Sequence, residues 1–127
     1  LAELKAQRDI AVTAWEKVIA ANVVHYLNAT LQDMSTFDSS DYNFADHAKH
    51  WSEMKAFALS LQFNPRTPLT DAQLSTLQDK MGKAPALPDD ANVDAYKTAL
   101  LDARALLQDA YGFADANMGD ANGTGGW

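Results

Sequence analysis

The densest set of groups able to do chemistry lies in Asp46-His47-Ala48-Lys49-His50-Trp51-Ser52-Glu53. The chain has three histidines and no cysteine, so imidazole is its only nitrogen ligand well suited to a metal. At about 100° per residue on a helix, Met54, Phe57 and Leu61 fall within about 40° of His50, which places His50 on an apolar stripe. His47 and Glu53 flank it at about 60° on either side, and residues three apart are neighbours on a helix surface. His47, His50 and Glu53 therefore form a polar line along a half-buried face, and polar groups buried without partners cost several kcal/mol. Two readings satisfy that line. In one, imidazole nitrogen and carboxylate oxygen hold iron, zinc, manganese or copper, with further ligands from another helix. In the other, His50 is a hydrogen-bonded core histidine, Glu53 sits in a salt bridge, and His47 lies at the solvent edge.

Two more residues bear on the choice. His25, about 60° off the apolar stripe of the first helix, is either a third ligand or a structural histidine. Arg104 lies on the apolar stripe of the last helix beside Val93, Leu100 and Tyr111, and a guanidinium there needs an acceptor. Its planar fork could take Glu53 or Asp46 bidentately and fix the carboxylate from behind the ligands.

Ten Lys and Arg stand against 17 Asp and Glu, a formal net charge of −7. That balance argues against a nucleic-acid-binding face and a polybasic membrane contact, and makes cations the expected ionic partners. The apolar run Val18 to Leu27 is broken by Asn22 and His25 and is shorter than the ~20 residues of a spanning helix, so no membrane span is expected. No His-Glu-x-x-His, Gly-x-Ser-x-Gly or phosphate-cradling glycine loop is present. Asp115-Ala-Asn117-Met-Gly119-Asp120 departs from a calcium loop at its fifth and sixth positions and has no closing Glu.

The elements that must position these residues are helical. Residues 1–34 hold no Pro or Gly, and Leu4, Ala11, Trp15, Val18, Asn22, Tyr26 and Ala29 recur at helical spacing. At ~1.5 Å per residue this helix runs to roughly 50 Å, longer than its neighbours can cover. The expectation is that the remainder of a larger parent protein, or a second chain, covers part of it. A second helix is expected over 43–63, ended by Asn64-Pro65. Thr70-Asp-Ala-Gln73 forms a capping box that starts a third helix, over 70–81, closed by Gly82. Asp89 and Asp90 are expected to cap a fourth helix over 91–111, ended by Gly112. Residues 112–127 hold five of the six glycines and end in Trp127, a tail or docking arm. Trp15, Trp51, Phe57 and Tyr96 read as core. The fold expected is an all-α, up-and-down bundle in one domain.

Three runs carry a family likeness: Trp15 to Asn28, His47 to Leu59 with His50-Trp51-Ser52-Glu53, and Ala103-Arg104 through Ala110-Tyr111-Gly112-Phe113. Together they resemble an uncharacterised branch of the imelysin-like proteins, helical-bundle proteins of the bacterial envelope, often lipoproteins. The chain looks like the C-terminal portion of such a protein. The resemblance implies a place in the periplasm or at the outer membrane and a part in iron uptake. His50 and Glu53 match the His and Glu of the family's Gly-x-His-x-x-Glu motif, while Ala48 stands at its Gly position. The resemblance thus favours metal binding through His50 and Glu53, with His47 or His25 completing the set. Against it stands a non-catalytic interaction module that docks through the long first helix and the glycine-rich tail. A metallopeptidase ranks third, because Glu53 cannot readily be both ligand and base.

Overall fold

A computed structural model describes residues 1–127, the whole sequence. The chain is all-helical: α1 Ala2–Met34, α2 Phe44–Ser60, α3 Asp71–Met81 and α4 Val93–Tyr111, with 3₁₀ turns at Leu61–Phe63 and Asp115–Asn117. α2 packs along α1, α4 packs against both α3 and α1, and α3 closes on α2. The result is the helical bundle expected from the periodicity. No helix is long and apolar enough to cross a membrane.

Local chemistry accounts for most of the boundaries. The Asn43 side chain accepts from the N–H groups of Ala45 and Asp46, supplying free donors of the first turn of α2 with a partner. Thr70 and Gln73 form the reciprocal capping box at the start of α3. α4 ends on Gly112 in the left-handed region, where a side chain would be strained. Its start differs from expectation. The helix begins at Val93 behind Asn92, with no side-chain cap, and the Asp90 carboxylate instead accepts from the Leu87 N–H at 2.8 Å within the preceding turn.

The core is built from Ala20, Val23, Val24, Leu27, Leu31 and Met34 of α1, Met54 and Ala58 of α2, Leu77 and Met81 of α3, and Leu100, Ala103 and Leu107 of α4. This corrects the stripe read for α1. Its first half is uncovered: Leu4 and Ile10 are exposed, and Trp15, expected in the core, is 70 % exposed. The buried face starts at Glu16 and Ala20. Trp51, Phe57 and Tyr96 are partly buried against the core.

The C-terminal segment is ordered and docks on its own chain. Trp127 packs edge-on to Phe113 and shares a groove with Val18, Ala21, Asn22 and His25. Asn28 of α1 donates to the Trp127 carbonyl at 3.2 Å, and Gln32 donates to the Gly123 carbonyl at 2.6 Å. Gly123 comes so close to α1 that a Cβ there would lie 2.2 Å from the Asn28 carbonyl oxygen. Gly123→Ala is therefore expected to lift this segment off α1. Amide hydrogen exchange should accelerate across residues 115–127 while α2 and α3 keep their protection; unchanged exchange in that segment would contradict the close approach.

Candidate functional site

The polar line on α2 is assembled, with a different internal order from the one its periodicity suggests. His47 is fully buried, whereas the His50 side chain keeps 27 % of its surface open. The order inverts because the residues after α1 and the linker before α4 cover the first turns of α2. Phe37 and Tyr42 stand edge-on to the His47 ring at 5.4 and 5.9 Å, and the Ala86 carbonyl lies 3.0 Å from His47 Nε2. A carbonyl only accepts, so Nε2 donates and the neutral ring leaves a lone pair on Nδ1. Burial holds the His47 pKa below the usual imidazole range, which favours that neutral form.

The carboxylate that meets these rings comes from α1. Asp33 Oδ2 lies 2.8 Å from His50 Nδ1 and 3.6 Å from His47 Nδ1. Asp33 sits in the last turn of α1, where the helix dipole disfavours negative charge and no basic residue compensates. An acidic side chain so placed signals a partner on another element, and it is the one feature of the sequence that could have pointed to Asp33. Glu53, one turn beyond His50, faces the Tyr26 hydroxyl. That contact pushes the Tyr26 pKa up, since ionising the phenol beside a carboxylate is unfavourable. Tyr26 in turn stacks on Phe57 at 5.7 Å.

The remaining expected site residues lie elsewhere. Arg104 does not reach Glu53 or Asp46. It donates to Asn28 Oδ1 at 2.7 Å and to the Asp120 carbonyl at 2.9 Å, binding α4 to α1 and to the C-terminal segment. Asp46 is an exposed first-turn residue of α2 whose backbone N–H is capped by Asn43. His25 is exposed on α1, edge-on to Tyr26 at 4.9 Å, and lines the groove that receives Trp127. In the Asp115–Asp120 stretch, Asp120 accepts from the N–H groups of Asn122 and Thr124. Those bonds hold its carboxyl below the usual range and occupy it structurally. A second buried carboxylate, Glu16, accepts from the Tyr111 hydroxyl and the Asn64 amide, both at 2.7 Å.

Whether a metal suits the α2 face turns on donors left without partners. Five buried side-chain polar atoms lack a hydrogen bond, and three of them, Tyr42 Oη, His47 Nδ1 and Glu53 Oε2, belong to this face and the loop over it. Each such atom costs about 1–3 kcal/mol when left unsatisfied, so a cation that takes nitrogen and oxygen ligands fits the donor set. As the side chains stand, no three or more His, Asp and Glu residues are gathered to share one ion. Ligation by the His/Glu set therefore takes rotation about side-chain bonds.

Comparison with protein-family models, with curated proteins and with solved structures finds no match for this chain.

The packing predicts that His47 and His50 differ in stability. His47→Ala removes a fully buried ring and orphans the Ala86 carbonyl, which should cost at least ~2 kcal/mol. His50→Ala, at a half-open position, should cost less, about 1 kcal/mol. Urea unfolding of the two variants checks the order, and a larger loss for His50→Ala would contradict it.

Proposed function

We propose that this chain binds a transition metal, iron first among iron, zinc and copper, at the α1–α2 face that carries His47, His50 and Glu53. The observation that carries the reading is the set of partnerless buried donors there, His47 Nδ1 and Glu53 Oε2, on either side of a half-open His50. The net charge of −7 adds a favourable field for cations. His50 and Glu53 are the positions that match the imelysin-like motif, and that likeness is what suggests a role in metal uptake in the periplasm or at the outer membrane. His25, exposed on α1, would join the set only through rearrangement, and Arg104 and Asp46 have no part in it.

Elemental analysis of the purified chain, followed by titration with iron, zinc and copper, tests the proposal. Stoichiometric binding is expected for the wild type, with affinity reduced at least ~10-fold in both His50→Ala and Glu53→Ala. A wild-type chain that takes up no stoichiometric metal, or variants that bind as tightly, would overturn it.

A second reading, a non-catalytic interaction module, draws on a different observation. Leu4, Ile10, Trp15 and Val18 on α1 and Phe63, 79 % exposed, leave apolar surface open around the first half of the long helix. On that reading no metal binds, and Trp15→Ser with Phe63→Ser abolishes capture of an envelope partner while the fold persists.

A further inference from the structure

Two buried polar atoms near the end of α1 have no hydrogen-bond partner. His47 Nε2 donates to the Ala86 carbonyl, so Nδ1 of the neutral ring carries a free electron pair, and 3.6 Å from it lies an oxygen of the Asp33 carboxylate. His47 has no exposed surface, and its Nδ1 has no partner. Tyr42 brings a buried hydroxyl with no partner, its ring edge-on to His47 and both rings held by Phe37. An imidazole nitrogen and a carboxylate oxygen this close, beside a partnerless phenol, can share a cation between them. On the outer side His50 Nδ1 reaches the same Asp33 oxygen, and Asp33 and His50 keep 19 % and 27 % of their side chains open, so a small ion has a route in.

We propose that Asp33 and Tyr42 are ligands beside His47 in a ferric-ion site, with His50 at its mouth. The inference rests on the metal-binding reading above and names the donors and the oxidation state. A carboxylate oxygen, a phenolate oxygen and an imidazole nitrogen are two hard anionic donors and one borderline donor, a set that favours a small, highly charged cation over zinc or copper. The two anionic oxygens offset much of the ion's charge, which a buried position requires. On binding, the Tyr42 O–H bond is replaced by an O–Fe bond and its proton leaves to solvent. His47 and the ionised Asp33 coordinate without losing a proton, and iron stays ferric throughout.

Ferric nitrilotriacetate is the probe, added to the full chain as wild type, Tyr42→Phe, Asp33→Asn and Tyr26→Phe, with circular dichroism confirming that each variant folds. Two readouts are taken: iron retained after gel filtration, and the visible absorption band that arises when a phenolate donates charge to ferric iron. The wild type and Tyr26→Phe should retain iron and show the band. Tyr42→Phe should lose the band, and both Tyr42→Phe and Asp33→Asn should bind at least ~10-fold more weakly. Iron retained without the band, equal retention in Asp33→Asn, or a band lost in Tyr26→Phe and kept in Tyr42→Phe overturns the ligand assignment and leaves metal binding standing. No iron, zinc or copper retained by the wild type overturns both, and the pocket is then a water-filled polar one.

Discussion

A fully buried imidazole is an expensive thing to place in a small bundle, because each ring nitrogen must be matched or its desolvation is uncompensated. In this chain the burial of His47 organises everything around it. Its Nε2 draws the Ala86 carbonyl, and with it the extended linker between α3 and α4, down onto the start of α2. Its ring face is closed by Phe37 and Tyr42, which pins the α1–α2 loop. Its remaining nitrogen is left facing the last turn of α1, where Asp33 also takes His50. Two connections of the bundle and the last turn of α1 thus converge on one side chain, and the donors they leave over are the ones from which a metal site can be built.

Away from this region most buried polar groups are satisfied, the Gln78 amide being the exception. Arg104, Asn28 and the C-terminal segment exchange hydrogen bonds completely enough that Arg104, despite half-burial, has acceptors on two elements. Glu16 is buried where the packed part of α1 begins, and two neutral donors hold its oxygens. Trp51 Nε1 donates to the Tyr96 hydroxyl, which donates to the Met81 carbonyl, and burial pushes the Tyr96 pKa up to about 12. Buried polar networks of this type fix register between helices. In the His47 region a partnerless ring nitrogen faces a carboxylate beside a partnerless phenol, which sets it apart from these networks.

Helix existence and most boundaries were legible from the chain, since they depend on local signals: the capping box at Thr70, Pro65 after Asn64, Gly112 after Tyr111. The start of α4 was not, because Asp90 spends its carboxylate on Leu87 within a turn, and such competition between nearby backbone donors is invisible to spacing. The packed face of α1 was misread for a different reason. Trp15 and Leu4 fit the helical period, but period alone does not say how far along the helix a neighbour extends. The site was legible in part. The line His47, His50, Glu53 follows from their spacing on one helix, whereas which of them is buried depends on Phe37, Tyr42 and Ala86, contributed by loops. Asp33 and Tyr42 lie 14 and 5 residues before His47, outside any helical period shared with it. Charge complementarity points Arg104 at Glu53 or Asp46, and the structure gives it the Asn28 amide oxygen and the Asp120 carbonyl instead.

The most direct test of a metal centre at the junction of α1 and α2 is anomalous diffraction at the iron edge from crystals of the iron-loaded chain. The expected result is a single strong peak at coordination distance, about 2.0–2.2 Å, from His47 Nδ1 and an Asp33 oxygen. A peak elsewhere on the molecule, or none at full iron loading, would contradict a metal centre there and leave the His47 region as structure alone.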